Sequence, residues 1–371
     1  MFLAFSSMAM ASGELFAGPP PSPLPDSFIA RYAKAHDFNG TILVQKGGRV
    51  IYEQSFGMAD FAHGTPNSNQ TVYRIASITK LFTSTLILQL LEAGRIDLNK
   101  TIGSYLPNYR GEAATKVTIR QLLNHTSGLE NIDTIPNIEE PNEAMEAEVE
   151  AAVKHGRLPI YQTPYSSDQL LEKFCSGPLV RPPGQAFDYN NADYIILGKI
   201  IEALHGKSYE EVFRERILQP LHMEHTGLTY QNRIIPHLAN PYSPGKDGKT
   251  LQNDVPVYPE NWYAAGAMYS TADDLLKFSN ALFDRKLLNA GTLAQMTAPG
   301  LDHYGYGLWS YETKVGGRSY KVVKRPGRIM GVRSELYRFL DSDTTVIILS
   351  NTGTTDLDTF VDEIGKRVIA L

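Results

Sequence analysis

Wound as a helix, the stretch after Lys80 is apolar nearly all round, with Leu81, Phe82, Leu86, Ile87, Leu88, Leu90 and Leu91 spread over its sides. A helix of that kind is buried rather than laid on a surface. At its start stands Ser77-Ile78-Thr79-Lys80. Residues three apart share a helix face, so Ser77 and Lys80 can touch. A serine hydroxyl is a poor nucleophile until a neighbouring base takes its proton, and a lysine held in a cleft can take it or assist another group. A lysine near the start of a buried helix needs a partner or a task. The tetrapeptide alone is a weak signal, because most such pairs lie on solvated helix surface with the lysine snorkelling from the edge.

The chain has 371 residues, 42% hydrophobic and 20% charged, which is ordinary globular composition and long enough for two domains or one large two-part fold. A net charge of −5 with no long basic run gives nucleic-acid binding no electrostatic support. Cys175, the one cysteine, excludes an intrachain disulfide and a cysteine-based zinc site, and reads as a small buried hydrophobe. No segment has about 18 uninterrupted apolar residues, so no transmembrane helix is expected. Met1 to Ala11 is apolar and ends in Ala9-Met10-Ala11, which resembles a signal-peptidase site, but a positive flank is missing and the run is short. Two readings stand: a clipped or mis-started export signal, favoured over a cytoplasmic location, and a plain N-terminal tail. Pro19 to Pro25 is a linker in both.

Asp26 or Ser27 caps a helix running to about Ala35. Thr41 to Gln45 and Arg49 to Phe56 read as strands around a Gly47-Gly48 hairpin turn. From about residue 95 to 264 the chain is mostly helix and loop, including an acidic, Ala-rich helix over Glu139 to Lys154 and a helix over Tyr194 to Leu204. Tyr304 to Trp309, Ser319 to Lys324, Ser334 to Phe339 and Thr344 to Leu349 read as strands, and Asp356 to Ile369 as a closing helix. Strands at both ends with helices between predict an α+β fold: an antiparallel sheet flanked by helices, built from both chain ends, with an inserted mostly helical domain. The expected division is a tail at 1–24, an α/β part at 25–75 and 265–371, and a helical part at 76–264, with the site between the two.

Further motifs join Ser77 and Lys80. After the Pro182 to Gly184 turn come Tyr189 and Asn191, a Tyr-x-Asn. Leu122-Leu123-Asn124-His125-Thr126-Ser127-Gly128-Leu129, Pro220-Leu221-His222-Met223, Ala265-Gly266-Ala267-Met268-Tyr269-Ser270-Thr271-Ala272-Asp273-Asp274-Leu275 and Tyr304-Gly305-Tyr306-Gly307 follow in order. Together these motifs resemble the class C β-lactamase-like serine hydrolases, with their D,D-peptidase and family VIII-type esterase relatives. The resemblance implies a β-lactamase/transpeptidase-like fold. Where most members carry Lys-Thr-Gly or His-x-Gly, this chain has Arg325-Pro326-Gly327-Arg328. Arginine keeps the charge and can clamp a carboxylate bidentately, but it cannot act as a base. Pro326 removes the hydroxyl that in the family helps hold a β-lactam carboxylate. A shifted alignment puts Lys324 in the role instead.

By resemblance, Ser77 attacks a carbonyl, Lys80 and Tyr189 share its proton, Asn191 orients Lys80 or binds the substrate, Arg325 holds the substrate, and the backbone N–H groups of Ser77 and Arg328 form the oxyanion hole. Singly, each has a structural reading: Tyr189 as a buried phenol, Asn191 as the cap of the next helix, Arg325 as a surface strand residue. The implied substrate is a small ester, amide or peptide, with a carboxylate an added possibility, and no metal or cofactor is implied. An acyltransferase of the same fold and a penicillin-binding-like protein without turnover are the alternatives. Other motifs fall away. Gly245 to Thr250 lacks the P-loop glycine and reads as a surface turn, His222-x-Glu224-His225 lacks the zinc-helix spacing, and His125 beside Ser127 reads as structural. No Gly-x-Ser-x-Gly elbow occurs.

Overall fold

Along the strand Thr344–Ser350, Val346 and Ile348 face one apolar layer while Ile347 and Leu349 face another. A strand that is apolar on both faces belongs in a sheet covered on both sides. In the computed structural model, which describes residues 26–132, 160–248 and 250–370, that sheet has six strands. They are β1 (Gly40–Lys46), β2 (Arg49–Phe56), β3 (Trp309–Val315), β4 (Arg318–Ile329), β5 (Val332–Phe339) and β6 (Thr344–Ser350), in the order β3-β4-β5-β6-β1-β2. All neighbours are antiparallel, and the two ends of the chain meet where β1 pairs β6, Leu43 opposite Ile347. The candidate export signal, the Pro-rich linker and the helix expected at 139–154 lie outside the described residues.

The helices of the fold include α1 (Asp26–Ala35), α2 (Thr79–Glu92), α3 (Ile119–Leu123), α4 (Asn191–His205), α5 (Ala272–Phe283) and α6 (Leu357–Ala370). α1 and α6 cover one face of the sheet, where Ile29, Phe360, Val361 and Ile364 pack on Ile42, Val44, Val346 and Ile348. α2, α4 and α5 lie in the second layer with Leu43, Leu336, Ile347 and Leu349. α2 is buried along almost its whole length, Lys80 included. Its Phe82 stacks on Phe278 of α5, centroids 3.8 Å apart, and meets Phe213 edge-on at 5.5 Å. Among the described residues no helix is long and apolar enough to cross a membrane.

Three local readings change. Tyr304 to Leu308 is not strand: β3 begins only at Trp309, after a 3-10 turn and a loop. Gly307 has φ +84, and a Cβ there would lie 2.6 Å from Ser84 Oγ and 3.0 Å from the Lys80 carbonyl, so this loop turns tightly against α2. β4 runs on through Pro326 to Ile329. Past Lys324 it has β5 as its one neighbour, since β3 ends opposite Lys324, and such an edge tolerates a proline. α4 starts at Asn191, and the cap is Asn190, whose side chain accepts the Ala192 N–H at 2.9 Å. Pro244 pairs with Leu251 in a short hairpin, and the Gly245 N–H donates to the Thr250 carbonyl.

The packing of α2 has a measurable consequence. Phe82→Ala should destabilise the fold by about 3–5 kcal/mol, the cost of emptying a fully buried aromatic site, and Phe82→Leu by clearly less. Denaturant unfolding monitored by circular dichroism checks this; equal losses for the two variants would contradict it.

Candidate active site

Ser77 lies in a 3-10 turn, Ala76–Ile78, that runs directly into α2. Ala76 holds φ +45, a region that L residues with side chains seldom adopt. The turn is pinned from the sheet side. Ser334 Oγ donates to the Ile75 carbonyl at 2.9 Å, and Arg325 Nε donates to the Ser77 carbonyl at 2.7 Å. One helical turn on, Lys80 is fully buried, with Nζ 3.2 Å from Ser77 Oγ, 2.6 Å from Asn191 Oδ1 and 3.0 Å from the Ala265 carbonyl. Three oxygen acceptors match the three donors of an ammonium group.

Tyr189 reaches the same serine from the other side, its hydroxyl donating to Ser77 Oγ at 2.9 Å. The Asn131 amide donates to the Tyr189 carbonyl at 2.9 Å, and the phenol ring lies nearly parallel to Trp309 at 6.1 Å. Lys80 Nζ sits 4.6 Å from the centre of the Tyr189 ring. Asn191 is the first residue of α4, and its side chain holds Lys80 rather than capping the helix.

Arg325 is 1% exposed. Besides the Ser77 carbonyl, its guanidinium donates to the Tyr304 hydroxyl at 2.9 Å and to the Tyr189 hydroxyl. The Trp309 ring lies 5.5 Å from its carbon. The side chain is therefore at the serine, as the aligned motif implies, but each of its three nitrogens is bound to an oxygen of the protein. Each terminal nitrogen keeps a second N–H, and the side chain lines the cleft. Lys324 does not take its place, because it forms ion pairs with Asp358 of α6 and, at 4.0 Å, with Glu335. The Arg328 side chain also pairs with Asp358. The backbone of β4 comes close to the serine turn at Gly327, where a Cβ would lie 2.3 Å from the Ile75 carbonyl and 3.2 Å from the Ser77 nitrogen. This brings β4 against the 3-10 turn that carries Ser77. A cleft of about 500 Å³ opens over these groups, with Trp309, Tyr311 and Pro326 as apolar walls and Lys324, Arg328 and Asp358 as a charged rim.

Residues 26–370 match the Beta-lactamase family. The chain belongs to that family. The putative penicillin-binding protein PbpX of Bacillus subtilis is 29% identical over 284 residues, which cover 76% of this chain and 64% of that protein, so the chain spans just under two thirds of this relative's length. A D-stereospecific amidohydrolase from Streptomyces sp. is 26% identical, with a TM-score of 0.73 and coverage of 89% of this chain and 94% of the other. A penicillin-binding protein from Bacillus halodurans is 25% identical, with a TM-score of 0.71 and coverage of 91% and 98%.

Within this β-lactamase-family cleft the electrostatics turn on Tyr189. Burial raises the pKa of its phenol, but Arg325 and then Lys80, together with its hydrogen bonding to Lys80 and Ser77, outweigh burial and bring it below the ordinary tyrosine value. Neighbouring Tyr304 goes the other way: burial holds it well above that value although it shares Arg325. The sequence reading did not single out Tyr304, Tyr311, Asp358 or His125 as members of the site. Tyr304 lay within a noted motif, whereas nothing local marks Tyr311 or Asp358, which reach the cleft from β3 and α6.

The fit at Gly327 generates a test. Gly327→Ala should push β4 off the serine turn and lower turnover by about 10²-fold, the scale expected for a misplaced reacting group, with far-ultraviolet circular dichroism unchanged. Unaltered turnover in that variant would show that the approach is not needed.

Proposed function

We propose that the chain is a serine hydrolase that opens a small ester or amide through an acyl-enzyme on Ser77. The observation that carries this reading is the double contact of Ser77 Oγ, bound by the Tyr189 hydroxyl at 2.9 Å and by Lys80 Nζ at 3.2 Å, at the mouth of a cleft. Lys80 spends its donors on three acceptors, which suits a charged ammonium with no lone pair to offer. Tyr189, drawn toward phenolate by two cations, is the better acceptor for the serine proton.

In the proposed cycle Tyr189 takes the proton as Oγ attacks the carbonyl carbon, and Lys80 and Arg325 stabilise the charge around the exchange. The oxyanion forms between the N–H groups of Ser77 and Arg328; the former is favoured by its place at a helix N-terminus. Tyr189 then protonates the leaving alcohol or amine, and in the second half it activates the water that releases the acyl group. Arg325 thus serves the phenol rather than a substrate carboxylate. The names of the relatives, penicillin-binding proteins and a D-stereospecific amidohydrolase, make short D-configured amides and esters the first substrates to test. Pro326, where the family places a hydroxyl, argues against β-lactams as the main substrate.

Ser77→Ala should abolish both fluorophosphonate labelling and nitrophenyl-ester hydrolysis; retained labelling would falsify the assignment. Arg325→Met removes a charge that favours phenolate, so the Tyr189 pKa must rise. Because the base works only when deprotonated, the acid limb of kcat/KM should move to higher pH, by roughly 1–3 pH units, alike for a neutral ester and its carboxylate-bearing analogue. A limb that stays in place, or a loss confined to the carboxylate ester, would restore the clamp.

A further inference from the structure

Tyr189 is gripped from behind by a side chain that this chemistry does not use. His125 is fully buried in the turn after α3 and holds φ +54. Its carbonyl accepts the Asp188 N–H at 2.8 Å, and its Nδ1 accepts the Asn190 N–H at 3.3 Å. Those two residues flank Tyr189. Between these two anchors the imidazole packs on the phenol ring, centroids 4.4 Å apart. The same Nδ1 is 2.8 Å from Oδ2 of Asp193, also fully buried, in the first turn of α4. Asn191 of that same turn holds Lys80.

We propose that His125 and Asp193 are positioning residues for Tyr189, which together fix the phenol over Ser77 and tie it to the turn that holds Lys80. The inference rests on the hydrolase reading above and adds to it the element that aims the base. Nδ1 of an imidazole has one lone pair when unprotonated and none when protonated. The Asp193 oxygen at 2.8 Å and the Asn190 N–H at 3.3 Å meet this one nitrogen, and a single lone pair shared between them takes its main proton from the carboxyl, with the longer Asn190 contact as the weaker arm. This arrangement makes His125 neutral with its proton on Nε2, which has no hydrogen-bond partner among the described residues, and makes Asp193 an acid. The surroundings agree. Burial holds the Asp193 pKa well above the carboxylate range, and burial, followed by the charges of Lys80 and Arg325, holds His125 well below its usual value. The other titratable groups facing the imidazole are the phenols of Tyr189, Tyr194 and Tyr304, the latter two with ring centres 5.1 Å away. An uncharged pair has a further use. An ionised Asp193 would offset the two cations that draw Tyr189 toward phenolate, and a protonated one leaves them acting on the phenol.

The test uses the full chain and a neutral nitrophenyl ester, with kcat, KM and the pH profile measured separately. The wild-type chain must show Ser77-dependent turnover; its absence would overturn the hydrolase reading itself. His125→Phe keeps a flat ring against Tyr189 but loses Nδ1. It should lower kcat about tenfold or more with KM within about twofold, and move the acid limb, because the base is misplaced rather than removed. Asp193→Leu should do the same, and Asp193→Asn, whose amide can donate where the acid did, should recover most of the loss. Wild-type kinetics in a folded His125→Phe variant would overturn the pair, as would an Asp193→Asn variant no better than Asp193→Leu. Nitrogen-15 histidine NMR of the unmutated chain decides the matter even where variants do not fold. One neutral imidazole, protonated at Nε2 and unchanged from about pH 6 to about pH 9, is the expected result. A His125 that titrates in that range, or carries its proton on Nδ1, would refute the arrangement.

Discussion

A buried guanidinium is the constraint on which the rest of the cleft depends. Arginine stays charged, so Arg325 has to be satisfied wherever it is buried. Three of its five N–H groups go to the Ser77 carbonyl, Tyr304 and Tyr189, with the Trp309 face alongside. Each of those partners belongs to a different piece of the machinery. The carbonyl fixes the nucleophile's turn, Tyr189 is the proposed base, and Tyr304 belongs to the loop that Gly307 presses against α2. One side chain from the sheet thereby locks the helical layer into register with it. A lysine could supply the charge but not three divergent donors held in one plane.

Three short stretches meet at the serine: Ser77 with Lys80, Tyr189 with Asn191, and Arg325 with Arg328. Each starts or ends a rigid element. The first opens α2, the second opens α4, and the third lies on the part of β4 that β3 leaves uncovered. Catalytic geometry set by element termini is more reproducible than geometry set by free loops, because the elements are fixed by their own cores. The bare edge of β4 serves twice. It tolerates Pro326, and Gly327 lets its backbone close on the serine turn.

Much of this was legible in the sequence wherever the signal was local. The apolar run after Lys80, the Gly47-Gly48 hairpin and the apolar run along β6 are local signals, and the family motifs located the meeting residues. The errors have physical causes. Tyr304 to Trp309 reads as a strand by its aromatic residues, but Gly307 at positive φ bends the chain there. Asn190 and Asn191 are equally good caps by type, and only the distance to Lys80 separates their tasks. The partners of Arg325, Tyr304 and Tyr189, approach from distant parts of the chain, so no local signal shows them. Tyr311 and Asp358 join the cleft by long-range packing alone, and the contact of His125 with Tyr189 is likewise long-range.

The account stands on the claim that two fixed cations hold one tyrosine below its ordinary pKa. Near-ultraviolet titration of phenolate absorbance in the wild-type chain and in Tyr189→Phe tests that claim directly. The other phenols around the serine, Tyr194 and Tyr304, are pushed upward by burial, so the low-pH signal belongs to one residue. The account predicts one phenolate forming clearly below pH of about 10 in the wild-type chain and missing from Tyr189→Phe. A difference titration with no phenolate forming below that value, or one that survives the substitution, would contradict it.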